Sequence, residues 1–148
     1  MKNRKPWNVL VFPGGTENGL EINKSLRYAK EVVLFSASSG VKNHAELMYE
    51  NHFVIPEVKN ERCLAELNEI IKANRIDFVF PANSLVIDFL VKNRAYLGCR
   101  VVMPENNSVI ISRSKKATYE LFENKINVPR TYRNIQEIKK YPVFIRPD

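Results

Sequence analysis

Short apolar runs of β-forming residues alternate along this chain with helical patterns, and that alternation constrains the fold more than any other feature. Val9-Leu10-Val11-Phe12 reads as a strand buried on both faces, ended by Pro13-Gly14-Gly15. Thr16 or Asn18 is placed to cap a helix running to about Ala29, with Leu20, Leu26 and Ala29 inward. Residues 32–35 form a second run, closed by Ser36-Ala37-Ser38-Ser39-Gly40. A short helix over 44–49 and a strand at Phe53-Val54-Ile55 follow. Residues 61–74 read as a helix, because Leu64, Leu67 and Ile71 recur at helical spacing. Phe78-Val79-Phe80, a helix through Ile87, Leu90 and Val91, and a strand over 101–103 complete the pattern. Strands of this length alternating with helices imply βαβ units. The expected fold is therefore α/β, a Rossmann-like parallel sheet with helices on both faces and right-handed crossovers.

In such sheets ligands bind beyond the carboxyl ends of the strands. The residues falling there are Gly14, Gly15, Thr16, Glu17 and Asn18 after the first strand, Ser36 and Ser38 after the second, and Asn83 and Ser84 after the fourth. The glycines do not spell a dinucleotide fingerprint: Gly14, Gly15 and Gly19 give the wrong spacing, and no acidic residue ends the second strand at Phe35-Ser36-Ala37. No Gly-Lys-Ser/Thr triplet makes a P-loop, and no G-x-S-x-G elbow or catalytic triad is readable. The turn at 13–19 either closes a βα corner and nothing more, or forms a substrate- or partner-binding loop.

Cys63 and Cys99 have no metal-ligand spacing and read as reduced packing residues. His44 and His52 stand eight residues apart without an acidic cluster, and read as surface or locally bonded side chains. No metal site is expected. No apolar run approaches the roughly 20 residues of a membrane span, and the start lacks a signal peptide's apolar region, so a cytoplasmic protein is expected. The net charge of +7 is uneven: residues 1–112 hold 14 Lys and Arg against 12 Asp and Glu, whereas 113–148 hold nine against four. The basic excess in the last quarter fits a phosphate-bearing partner or a solvated helix face. A nucleic-acid partner would rest on that charge alone, with no motif behind it.

The last third is the most specific part. Met103-Pro104-Glu105 is followed by Ser114-Lys115-Lys116-Ala117-Thr118-Tyr119 in a basic helix over 112–125. An extended link, Asn127-Val128-Pro129-Arg130-Thr131-Tyr132, comes next, then a short helix over 134–140. Tyr141-Pro142-Val143-Phe144-Ile145-Arg146-Pro147 then begins a strand, and the chain stops at Asp148. Together these segments resemble the entry to the ATP-grasp fold. In that family a βαβ domain precedes a helix bearing Lys or Arg, a Pro- and Thr-containing link, and a strand ending in Lys/Arg-Pro. The likeness spans nearly the whole chain, by pattern over the first 100 residues and residue by residue over the last 35.

The resemblance implies a pre-ATP-grasp domain over 1–111 and, over 112–148, the linker helix and first strand of an incomplete ATP-grasp domain. It implies that Lys115 and Arg146 face the ATP phosphates, with Lys116 as the alternative to Lys115. Arg146 in Ile-Arg-Pro looks more like carbamoyl-phosphate synthase domains than the majority of the family, which carries Lys; an Arg there gives a bidentate phosphate contact. Ser114 stands where the family usually has an acidic residue. ATP and Mg²⁺ are the implied cofactors of the intact parent. The missing C-terminal ATP-grasp domain and a small-molecule carboxylate are its implied partners, with neither nucleic acid nor membrane. The glycine-rich phosphate loop and the metal ligands come later in the family than Arg146, so residues 1–148 alone are expected to be inactive and to bind no nucleotide tightly. A stand-alone Rossmann-like module that binds a small ligand or partner without chemistry is the alternative.

Overall fold

The computed structural model describes residues 5–132 and 134–145, apart from the side chain of Asn106. The chain forms two compact units, Met1–Met103 and Pro104–Asp148. The division falls at Met103, ahead of the boundary at 111 read from the sequence.

The first unit is built on five parallel strands: β1 (Trp7–Phe12), β2 (Val32–Ser38), β3 (Asn51–Val54), β4 (Phe78–Pro81) and β5 (Arg100–Val101). Their order across the sheet is β3-β2-β1-β4-β5. The register pairs Val9 with Leu34 and Phe78, Ser36 with His52, and Val79 with Val101. Helices α1 (Glu17–Leu26), α2 (Ala45–Met48), α3 (Cys63–Ala73) and α4 (Ser84–Asn93) connect the strands, with a 3₁₀ turn over Arg94–Tyr96. This is the parallel α/β sheet the alternating pattern called for.

The central strand shows why the continuous apolar run was a reliable sign. Every residue from Val9 to Phe12 is buried, and successive side chains point to opposite faces. Leu10 and Phe12 enter one core with Cys63, Leu67 and Ile71 of α3 and Val86 and Leu90 of α4. Val11 enters the other with Ala45, Tyr49 and Ala82. Both sheet faces are thus covered, as parallel strands require.

Two local structures differ from expectation. Helix α1 seats Gly19 and Asn23 inward and ends at Leu26, while Leu20, Leu26 and Ala29 are only half-buried. The helix lies against its own preceding loop: a Cβ on Gly19 would come within 2.5 Å of the Pro13 and Gly14 carbonyl oxygens, so only glycine fits. Strand β2 runs on through Ser38 because Ser36 and Ser38 pair with His52 and Val54 of β3. Helix α3 closes through Arg75, whose φ of 50° lies in the left-handed region. Its N–H reaches Lys72 O and that of Ile76 reaches Ile71 O, the two bonds of a Schellman cap. Asn8 Nδ2 donates to Asn74 O at 2.8 Å and so ties this cap to β1.

In the second unit, α6 (Lys115–Phe122) takes the place of the helix expected over 112–125, and α5 (Asn106–Arg113) precedes it where no helix was expected. Ser114 breaks the run: its φ/ψ of −93°/119° is extended, and its Oγ accepts the Ala117 N–H at 3.0 Å, capping α6. Thr118 Oγ1 is shared between the Ser114 and Ile111 carbonyls at 2.8 Å each. A 3₁₀ turn over Ile135–Glu137 replaces the short helix expected at 134–140, and residues 142–145 carry no strand.

Candidate functional site

The sheet order reverses at β1: the chain leaves it toward β2 and returns on its other side as β4. Beyond the carboxyl ends of β1 and β4 two helices therefore begin side by side, at the point where ligands bind in sheets of this kind. Thr16 caps α1, its Oγ1 accepting from Gly19 N at 3.2 Å. The same hydroxyl donates toward Pro13 O at 3.1 Å and Ala82 O at 3.3 Å. Asn18 Nδ2 donates to Ala82 O at 3.2 Å, so both residues stitch the β1 loop to the end of β4. Asn83 caps α4 by accepting Val86 N–H at 2.8 Å. Glu17 and Ser84 are the first residues of the two helices, and both are exposed. Beside Asn18 a shallow groove of about 430 Å³ follows α1 to Phe80.

Gly14 and Gly15 owe their identity to close approach, since no described glycine has positive φ. A Cβ on Gly14 would meet Ser36 Cβ at 2.5 Å, and one on Gly15 would meet Asn43 Oδ1 at 2.1 Å. Gly14 N–H donates to Ala37 O at 2.9 Å, fixing the turn to β2.

Ser36 and Ser38 belong to β2 rather than to a loop, and both are buried. They hold the imidazole of His52 between them, Ser36 Oγ lying 2.7 Å from Nδ1 and Ser38 Oγ 3.2 Å from Nε2. Asn43 Nδ2 donates to Ser38 Oγ at 3.1 Å, while its Oδ1 accepts Ala45 N–H at 2.9 Å. Burial holds the His52 ring below its ordinary pKa, with Glu46 pulling weakly the other way. Tyr49 lies against Gly14, gives its hydroxyl to Gly19 O, and has its phenol pushed far up by burial. His52, Asn43 and Tyr49 were not among the expected site residues. The available sign was two serines at alternate positions of an apolar strand, beside a histidine in the next strand.

The cysteines are packing groups. Cys63 is buried in the core and Cys99 packs against it. Burial pushes both thiols up to about 11, with smaller contributions from Glu66 and Asp77, so neither is a ready nucleophile. Among the described residues, no group of three or more His, Cys, Asp or Glu is placed to hold a metal ion. Among the same residues, no helix is long and apolar enough to cross a membrane.

In the second unit, Lys115 is the first residue of α6 and is exposed. Its neighbour Lys116, the alternative to Lys115 read from the sequence, lines an open groove of about 860 Å³ with Tyr119, Pro129, Arg130 and Tyr132. The Arg130 guanidinium sits 5.2 Å from the Tyr132 ring centroid, a cation–π contact. Arg146 lies outside the described residues. A serine and an aspartate cap helices about equally well, so Ser114 performs locally the capping that an acidic residue before Lys115 would also perform.

No protein-family profile matches the chain, and no curated protein sequence does. Among solved structures, the chain is similar to glycinamide-RNase-transformylase T from Mycobacterium tuberculosis, with a TM-score of 0.57 and 17% sequence identity. The match covers 82% of this chain and 36% of the transformylase, so the chain spans about a third of that protein's length. At this identity the likeness is one of fold.

Proposed function

We propose that this chain is the substrate-side domain of an ATP-grasp ligase resembling carbamoyl-phosphate synthase, together with the opening of its ATP-binding module. The observation that carries the reading is Lys115 at the head of a Ser114-capped helix, which follows a parallel α/β domain in the chain with only α5 between them. The Pro129-Arg130-Thr131 link and the run to Ile145-Arg146-Pro147 follow in the order the ATP-grasp entry requires. The fold likeness to a transformylase of which this chain matches only a part fits that reading.

In the intact protein ATP supplies a γ-phosphoryl group that a substrate carboxylate accepts, with ADP leaving; an amine or similar nucleophile then displaces the phosphate. Fixed cations stabilise the charge that builds on the phosphate oxygens. Lys115 and Arg146 are the cations this chain would contribute. They would make two contacts, while in the family the glycine-rich loop and the metal ligands come after Arg146, so nucleotide binding by residues 1–148 alone is expected to be weak. The loops at Gly14, Gly15, Thr16, Glu17 and Asn18 and at Asn83 and Ser84 would hold the acyl substrate at the switch point. Ser36 and Ser38 would serve that site from beneath, through His52 and Asn43. A cytoplasmic location goes with this reading.

Two observations on the complete gene product test it. The reading frame past codon 148 should encode a glycine-rich loop within about ten residues and acidic metal ligands farther on. The purified product should consume ATP in a carboxylate-dependent way and form a hydroxamate when hydroxylamine is present. A stop codon at that point with no ATP consumption would instead leave a binding module without chemistry, and ATP consumption indifferent to every carboxylate would refute the ligase reading.

A further inference from the structure

The two glycines of the β1 loop rest on side chains that are both hydrogen-bonded, directly or through one neighbour, to a single titratable ring. Gly14 lies on Ser36, whose Oγ is 2.7 Å from His52 Nδ1. Gly15 lies on Asn43, whose amide donates to Ser38 Oγ, itself 3.2 Å from His52 Nε2. The Asn43 orientation is fixed independently, because its Oδ1 accepts from the Ala45 N–H. Ser38 Oγ therefore already accepts one hydrogen bond whatever the histidine does.

A neutral imidazole leaves one serine hydroxyl proton to find another acceptor in either tautomer, because one ring nitrogen donates to a serine while the other accepts from a serine hydroxyl. An imidazolium leaves two: both nitrogens become donors, both serines must accept, and both hydroxyl protons need new acceptors. Ser36 is fully buried and Ser38 is 3% exposed, so water is not at hand to take those protons. Leaving buried donors unmatched is costly and favours rotation of the serines away from the ring. Ser36 Cβ and Oγ stand 2.5 and 2.9 Å from where a Gly14 Cβ would lie, so a turn of that side chain acts on the packing under Gly14.

From this geometry we infer that His52 is the positioning residue of the Gly14–Gly15 loop and that only its neutral form holds the loop in place, so that the carboxyl edge of the sheet loosens as the ring takes up a proton. The inference rests on the hydrogen-bond chain and holds whether or not the ligase reading does. Burial favours the neutral ring, in the same direction. Among the described residues the charged group acting on the ring is Glu46 of α2, which favours the proton. Tyr49, the other titratable group against the loop, is held neutral by burial.

The test is an NMR titration of the isotope-labelled chain from about pH 8 to about pH 5, the range in which histidine charges. The His52 ring and the backbone amides of all glycines are followed together. The expected result is a ring midpoint below the ordinary 6.5, with the Gly14 and Gly15 amides shifting at that same midpoint while Gly98 stays flat. In Glu46→Gln the ring and both loop glycines should move down in pH together. A ring midpoint at or above the ordinary value would overturn the inference. So would Gly14 and Gly15 amides that ignore the ring's titration, in the native chain or in the Glu46 variant. The native titration decides without any change at His52, so the outcome does not depend on whether a variant folds.

Discussion

Replacing Gly19 with alanine sets two effects of known size against each other. Gly19 lies inside the first turn of α1, where alanine gains about 1 kcal/mol of helix propensity over glycine. Against that, the new methyl would sit 2.5 Å from two backbone carbonyl oxygens, those of Pro13 and Gly14, and 2.8 Å from Gly14 C. No rotamer relieves a contact with backbone, so the loop or the helix must move. Overpacking of this kind costs about 1–3 kcal/mol. Moving the helix start also weakens the Thr16 cap to Gly19 N, worth about 1 kcal/mol, and disturbs the Tyr49 hydroxyl bond to Gly19 O. The penalties outweigh the propensity gain, leaving a net loss of about 2 kcal/mol. With a urea slope of about 2 kcal/mol/M, the unfolding midpoint falls by about 1 M. Gly40→Ala is the control: its Cβ finds only Val54 Cγ1, at 3.7 Å, and its midpoint should stay within about 0.5 M of the native value. A Gly19→Ala midpoint equal to or above the native one would refute the reasoning, because propensity alone would then govern the site.

Three further outcomes are expected. Because His52 carries a depressed pKa in the fold, the unfolded chain binds more protons below its ordinary 6.5; stability by urea titration should be full above that pH and fall as pH drops through the folded value, and His52→Gln should flatten that part of the curve. Arg75→Gly should raise stability by up to about 1 kcal/mol, since glycine takes the left-handed φ of 50° without strain; loss of stability would show that the Arg75 side chain matters more than its backbone. Ser114→Ala should cost α6 about 1 kcal/mol while Ser114→Asp should cost almost nothing, read by amide hydrogen exchange at Ala117 and Thr118.

What the sequence revealed and what it hid follow from the range of the interactions involved. Residues 9–12 are buried on both faces, so their apolar run announced β1 without reference to any partner. The loops after β1 and β4 were legible because glycine, threonine and asparagine mark helix starts locally, and Thr16 and Asn83 do cap α1 and α4. The inward face of α1 was misjudged because it is set by a non-bonded approach between Gly19 and the Pro13 and Gly14 carbonyls, which hydrophobic periodicity does not record. Ser36 and Ser38 looked like loop residues because their strand partners, His52 and Val54, lie sixteen positions away in the chain. Helix α5 was hidden by its opening Asn106-Asn107-Ser108, poor helix formers, and by Ser114, which splits one basic stretch into two helices. Cys63 was readable as a packing residue because the two cysteines have no metal-ligand spacing, while its place on the buried face of α3 with Leu67 and Ile71, where Leu64 was expected, was not.

The ligase reading stands or falls on whether Lys115 and Arg146 meet a nucleotide. The direct measurement is calorimetric titration of ATP·Mg²⁺ into the complete gene product and its Lys115→Ala and Arg146→Ala variants, with residues 1–148 alone as the reference. The account predicts a saturable isotherm for the complete product, weakened at least about tenfold, or about 1.4 kcal/mol, by either substitution, and little heat from residues 1–148. Absence of ATP binding by the complete product, or binding indifferent to both substitutions, would contradict it.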